Sequence, residues 1–141
     1  MRTLGLDVGS KTVGVAVSDP MRFIAQGLET IAIDEAAGDF GFKRLGEIIE
    51  EQTVDTVVIG MPLNMDGSKG PRAEASIHYG DLLLEKWPTL KLHYSDERLT
   101  TMQAERLMIE KGNVSRKKRK KVIDKMAATM ILQTYLDRNY H

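Results

Sequence analysis

The chain has 141 residues, with 20 basic and 20 acidic side chains, a formal net charge of +0 and no cysteine. Its length suits one domain spanning residues 1–141. The balanced charge excludes any inference about partners from composition alone, and the lack of cysteine excludes disulfide bonds and thiolate metal sites. Because the sequence has no signal-peptide pattern and no apolar run of membrane-spanning length, we expect a cytoplasmic protein with no membrane partner.

The first two predicted strands, residues 3–8 and 13–18, are rich in β-branched residues and joined by a glycine-containing loop of hairpin length. Side chains alternate along a strand, so Asp7 lies opposite the bulky face and has only small neighbours: Gly5, Gly14, Ala16 and Ser18. Burying a carboxylate is costly unless it is paired or bound to a metal, and small neighbours leave room for an ion and a phosphate. The alternative is that these residues only let a helix pack closely, with Asp7 capping a nearby group.

The later elements are predicted from the spacing of apolar residues. A third strand at residues 27–31 completes three consecutive short strands, which is typical of an antiparallel meander. Spacing and capping residues then predict a helix at 42–51, a buried strand at 56–60, a loop at 61–70, a helix at 72–86, a strand at 90–95, and helices at 100–111 and from 115 to about 138. This order predicts an α/β fold: a mixed five-stranded sheet, antiparallel in its first three strands, flanked by helices on both faces.

Three acidic residues fall where one site could gather them: Asp7 in the first strand, Glu97 after a later strand, and Asp124 in the last helix. In that helix we expect Asp124 at the margin of an apolar stripe formed by Val122, Ile123, Met126, Ala127, Met130, Ile131 and Tyr135. Three carboxylates at one point repel each other, which a divalent cation relieves. Two cations would clamp the attacking water and the leaving oxygen of a phosphodiester. The alternative is that Glu97 and Asp124 form ordinary surface ion pairs.

Six consecutive cations begin the last helix. We call them the basic block: Arg116, Lys117, Lys118, Arg119, Lys120 and Lys121. Cations at a helix N-terminus oppose the helix dipole, so this arrangement favours a polyanionic partner over a merely solvated helix start, which is the alternative. Candidate nucleic-acid-binding residues outside the block are Lys11, Asn64, Lys69, Arg72 and Arg98.

Four motifs follow one another along the chain: Asp7-x-Gly9-x-Lys11 with Gly14-x-Ala16-x-Ser18-Asp19, then Gly60-x-Pro62-x-Asn64-x-Asp66-Gly67, then Asp96-Glu97-Arg98-Leu99-Thr100, and finally Asp124-x-x-Ala127-Ala128 with Ile131-Leu132-Gln133-x-Tyr135-Leu136. This set resembles the YqgF family of bacterial RuvC-like nucleases, also called RuvX. The resemblance implies an RNase H-like fold, a phosphodiesterase that uses Mg²⁺ or Mn²⁺, and a catalytic, metal-binding triad of Asp7, Glu97 and Asp124. It also implies processing of the 5′ end of pre-16S rRNA in ribosome biogenesis.

Three alternatives stay open at this point. One is a Holliday junction resolvase acting on branched DNA, and another is a non-catalytic RNA-binding factor of ribosome assembly. The third is an actin-like or sugar-kinase-like ATPase, because Asp-x-Gly before a second strand resembles that superfamily, although the chain has length for only one of its two domains. The sequence does not choose between monomer and homodimer. We expect Met61, Leu63 and Met65 to be exposed in their loop, where they could form an interface or contact the substrate.

Overall fold

The computed structural model describes residues 1–64, 66–96 and 116–140, with the helix but not the side chains described at 116–123. The described elements form one five-stranded sheet and three helices. In chain order they are β1 (Arg2–Val8), β2 (Thr12–Ser18), β3 (Ala25–Ala32), α1 (Phe42–Glu51), β4 (Val54–Met61), α2 (Pro71–Lys86), β5 (Lys91–Asp96) and α3 (Arg116–Asn139). The helix predicted at 100–111 lies outside the described residues.

The strand order across the sheet is β3-β2-β1-β4-β5. β1 pairs antiparallel with β2, and β2 pairs antiparallel with β3. β4 runs parallel to both β1 and β5. The predicted mixed sheet with three antiparallel strands is therefore confirmed. In the hairpin register Asp7 lies opposite Gly14 and Gly5 opposite Ala16.

The two faces of the sheet carry different kinds of side chain. On one face, large apolar residues of the strands pack against α1 and α2, and this cluster includes Leu4, Leu6, Val13, Val15, Leu45, Ile48, Tyr79 and Leu83. On the other face, the small side chains of Ala16 and Ala25 pack against Ala128, Leu132 and Leu136 of α3. Helices thus cover both faces, as predicted, and Asp7 belongs to the face with small side chains.

Glycines on that face allow α3 to lie directly on the strands. A Cβ atom built on Gly14 would overlap the backbone carbonyl oxygen of Asp124, and one on Gly5 would lie 2.7 Å from the Cβ of Leu132. Only glycine leaves room for the helix at these two positions, since backbone atoms cannot move aside as a flexible side chain can. The small residues on this face therefore do let a helix pack closely, as the alternative interpretation expected. This packing also places Asp124 above the hairpin.

The buried stripe of α3 differs from the prediction. Among residues 124–139, the buried ones are Ala127, Ala128, Ile131, Leu132 and Leu136, so Ala127 and Ile131 are buried as predicted. Met126, Met130 and Tyr135 are only half-buried, and the side chains of Val122 and Ile123 lie outside the described part of the chain. Residues four apart share a helix face, so Asp124 stands in one row with Ala128, Leu132 and Leu136 instead of at the margin. The prediction followed side-chain hydrophobicity, but the row that packs on the sheet is the one for which Gly5 and Gly14 leave room.

One expectation about the loop after β4 is wrong. Met61 is 8% exposed, because it is the last residue of β4 and pairs with Asp96 of β5. Leu63 is half-buried, and Met65 lies outside the described residues. Within the described part of the chain, no helix is both long enough and apolar enough to cross a membrane.

Candidate active site

Asp7 and Asp124 meet at the end of the sheet where β1 terminates. Asp7 is the last but one residue of β1 and lies opposite Gly14. Gly14 in turn faces Asp124, whose Cβ would lie 3.2 Å from a Cβ built on that glycine. The Asp124 charge acts directly on Asp7. Two of the three predicted acidic residues are therefore brought together, and the third, Glu97, lies outside the described residues.

The electrostatic environment of Asp7 is unusual for a carboxyl group. The pKa of Asp7 is raised from the ordinary value of 3.8 to about 7, and burial is the largest cause. The neighbouring Asp124 contributes to this rise, and the positive charge of Arg72 opposes it. Both dominant effects disfavour the ionised form. A cation placed between the two carboxylates would reverse this preference, so Asp7 and Asp124 form an arrangement that favours a bound cation.

Asp124 is held in place from the hairpin. The hydroxyl of Thr12 donates a hydrogen bond of 2.6 Å to Oδ2 of Asp124, linking residues 112 positions apart in sequence. Sequence reasoning missed Thr12. A usable signal was present, because Thr12 shares the alternation of Gly14 and Ala16 and therefore faces the same side of the sheet.

Arg72 contacts the end of β1. Its Nη2 donates to the backbone carbonyl of Val8 at 3.1 Å, and its Nη1 donates to both carboxylate oxygens of Glu35 at 3.0 and 3.2 Å. Arg72 was predicted from the sequence as a nucleic-acid-binding residue, but Glu35 was not identified as its partner. The guanidinium is therefore positioned beside Asp7 and is shared with an acidic residue of the segment between β3 and α1.

The other described candidates for nucleic-acid binding are exposed on the surface of the protein. Lys11 is 66% exposed and its Nζ lies 3.7 Å from Oδ1 of Asp34. Such a surface pair contributes little to stability, so the lysine is available to a ligand. Lys69 and Asn64 are exposed in the loop after β4, where the amide of Asn64 donates to the hydroxyl of Ser68 at 3.0 Å.

The basic block occupies the first turns of α3, which begins at Arg116. At 1.5 Å of rise per residue, the block lies about 4 to 12 Å along the helix axis from Asp124. The block therefore flanks the carboxylate pair along the backbone, although the structure does not describe its side chains. Arg98, the last candidate, lies outside the described residues.

The residues of the site can be compared with the needs of a metal ion. Asp7 and Asp124 supply hard oxygen ligands of the type that Mg²⁺ and Mn²⁺ prefer. No group of three or more histidine, cysteine, aspartate or glutamate residues that could hold a metal occurs within the described ranges. The donor set fits a divalent cation, with two carboxylates in place and Glu97 as the candidate for the third.

The fold is similar to solved resolvase structures. The fowlpox virus resolvase in complex with Holliday junction DNA superposes with a TM-score of 0.54 at 11% identity, covering 100% of both chains. RuvC of T. thermophilus in complex with a Holliday junction substrate gives a TM-score of 0.51 at 13% identity, covering 98% of this chain and 95% of that one. These likenesses confirm the predicted RNase H-like α/β fold.

Sequence comparison gives a closer assignment. A protein of Streptococcus suis strain 05ZYH33, named "Putative pre-16S rRNA nuclease", is 61% identical over 140 residues, covering 99% of this chain and 100% of that protein. A protein of the same name from Streptococcus agalactiae strain NEM316 is 60% identical with the same coverage. The family model described as "RuvX: Holliday junction resolvase" matches residues 1–138. The chain therefore belongs to the RuvX family, as its four motifs predicted.

Proposed function

We propose that this chain is a nuclease that depends on a divalent metal and hydrolyses phosphodiester bonds in structured nucleic acid, with the 5′ end of pre-16S rRNA as its substrate. One observation carries the proposal: β1 and α3 bring Asp7 and Asp124 together in an environment that raises the pKa of Asp7 to about 7. Carboxylates arranged at such a cost to their ionised forms are typical of functional sites. The names of the relatives from streptococci support the choice of RNA substrate.

Each acidic residue has a role in this proposal. Asp7 and Asp124 hold Mg²⁺ or Mn²⁺ with Glu97 as the third ligand, whose assignment rests on the family motif. When bound, two such cations supply a nucleophilic water at neutral pH and stabilise the charge that develops on the leaving oxygen. The glycines on this face of the sheet let α3 lie close to the strands, which brings Asp124 beside Asp7. This accounts for the combination of a buried carboxylate with glycine neighbours.

The basic residues position the nucleic acid. Arg72 is held at the end of β1 and carries a charge that Asp7 senses, so it is suited to contact a phosphate next to the carboxylates. Lys11, Asn64 and Lys69, which are exposed, bind further phosphates of the same nucleic acid. Arg98 and the basic block at the start of α3 also bind its phosphates. Phosphate contacts of this kind fix register and orientation but carry no sequence specificity.

We further propose that residues 1–141 act as a single domain in the cytoplasm, where precursor rRNA is processed. A second candidate function is cleavage of Holliday junctions, which the description of the family model favours. A resolvase that cuts two strands symmetrically is expected to act as a homodimer, whereas rRNA trimming does not require one. A measurement of mass in solution therefore separates the two candidates in part. Membership of the RuvX family argues against the ATPase alternative.

A cleavage assay tests the proposal directly. The full chain is incubated with Mg²⁺ or Mn²⁺ and either an RNA carrying the pre-16S 5′ end or a four-way DNA junction. We compare wild type with Asp124→Asn and with Asp137→Asn, an exposed residue near the other end of the same helix. We expect RNA cleavage that is lost in D124N and kept in D137N. Junction cleavage without RNA cleavage would favour the resolvase, and RNA binding without cleavage under either cation would favour the non-catalytic assembly factor.

A further inference from the structure

We propose that Thr12 is a positioning residue that fixes the carboxylate of Asp124 for cation binding. The inference rests on the proposed function and deepens it, because it assigns a role to a residue that is neither a metal ligand nor a phosphate contact. Three features of the structure carry it: the hydrogen bond itself, the fixed backbone around Thr12, and the closeness of Asp124 to Asp7.

The hydrogen bond is short and joins two separate elements. The Thr12 hydroxyl lies 2.6 Å from Oδ2 of Asp124, and both residues are half-buried. This length is typical of hydroxyl donors on ionised carboxylates, which form hydrogen bonds about twice as strong as neutral ones. In metal sites, a group that donates a hydrogen bond to a metal-binding side chain orients that side chain. Its loss typically costs about 10- to 100-fold in metal affinity or activity.

The backbone holds Thr12 in one place. The backbone N–H of Gly9 donates to the carbonyl of Thr12 at 2.8 Å, which closes the hairpin loop. Thr12 is also the first residue of β2 and pairs with Ala32 of β3. A Cβ on Gly9 would lie only 3.0 Å from the same carbonyl, so the loop is tight on this side. The hydroxyl therefore acts from a fixed point on the sheet.

Asp124 needs such a fixed point because of its neighbour. Asp7 and Asp124 lie close together, since Gly14 pairs with Asp7 and its hydrogen atoms face the Asp124 backbone at a distance that admits no Cβ. Two carboxylates in such a place repel each other. Rotation of the Asp124 side chain would relieve this repulsion and move its oxygens away from Asp7, and the hydrogen bond from the Thr12 hydroxyl opposes that rotation. Two other roles are conceivable for the same bond: it could only fasten α3 to the sheet, or it could compete with a cation for Asp124.

The test measures cation binding without nucleic acid. Wild type, Thr12→Val and Thr12→Ser are titrated with Mn²⁺ by calorimetry, and the affinity is compared. Valine keeps the β-branched shape that suits a strand but removes the donor, whereas serine keeps the hydroxyl. Thr129→Val is the matched control, since the Thr129 hydroxyl donates to the backbone of Lys125 in its own helix. Thr12→Ala removes the same donor without an added methyl group and gives an independent result if T12V is poorly folded.

We expect T12V to weaken Mn²⁺ binding by about tenfold or more, with T12S and T129V close to wild type. On the RNA substrate, kcat should fall in T12V, while RNA binding in EDTA should stay unchanged. A fastening role would lower the thermal stability of T12V in EDTA without changing Mn²⁺ affinity, and a competing role would raise that affinity. Either result overturns the inference about Thr12. The proposed function is unaffected if wild type still binds Mn²⁺. A wild-type protein without saturable Mn²⁺ binding overturns both this inference and the proposed function.

Discussion

Replacing Asp7 by asparagine should stabilise the metal-free protein at high pH. The folded-state pKa of Asp7 is about 7 and its ordinary value is 3.8. Because the folded-state pKa is raised, ionised Asp7 disfavours folding: the penalty is absent below about pH 4, grows as the pH rises, and is complete above about pH 7. A difference of about three pKa units at 1.36 kcal/mol per unit corresponds to no more than about 4 kcal/mol. Asparagine has nearly the same shape and cannot ionise.

The assay is urea unfolding in EDTA at pH 4.5, 6 and 8. We expect D7N to unfold at higher urea concentration than wild type at pH 8, with the difference shrinking as the pH falls. Asp19→Asn is a control of opposite sign, because three backbone N–H groups donate to the Asp19 carboxylate and hold its pKa below the ordinary value. D19N should therefore lose stability at pH 8. Equal or lower stability of D7N at pH 8 would refute the reasoning about the buried charge.

The same unfolding experiment is repeated with Mn²⁺ in place of EDTA. A ligand that binds only the folded state stabilises it by mass action. Added Mn²⁺ should therefore raise the urea midpoint of wild type and leave that of D7N unchanged. The greater stability that D7N has in EDTA should then shrink or reverse. If Mn²⁺ stabilises both proteins equally, Asp7 is not a ligand and the cation binds elsewhere.

Three further predictions concern the neighbours of Asp7 and Asp124. Gly14→Ala should cost about 1–3 kcal/mol of stability and abolish cleavage, since the Cβ of the alanine would overlap the carbonyl oxygen of Asp124. A G14A variant as stable as wild type in urea would contradict the close packing of α3. Arg72→Met should raise the pKa of Asp7 further, because the arginine charge lowers it; an NMR titration of the Asp7 carboxyl in EDTA measures this, and an unchanged midpoint would exclude the interaction. Replacing two lysines of the basic block by glutamine should flatten the dependence of log K for RNA on log salt by about 0.7 per lost phosphate contact; an unchanged slope would place the RNA elsewhere.

Two active-site features could not be read from the sequence because they depend on contacts between distant segments. The Glu35 partner of Arg72 lies in the segment between β3 and α1, and nothing local marks it as a neighbour of α2. The hydrogen bond from Thr12 to Asp124 spans 112 residues. The raised pKa of Asp7 also depends on burial, which no strand pattern specifies quantitatively.

The sequence by itself determined the strands, the mixed sheet and the side of the sheet on which Asp7 lies. Alternation in the strands and spacing in the helices are local properties, so the residues alone carry them. Tertiary structure decided which row of α3 is buried, because the helix settles where Gly5 and Gly14 leave room and not where its own side chains are most apolar. That docking places Asp124 beside Asp7, and the proposed chemistry of the site depends on it.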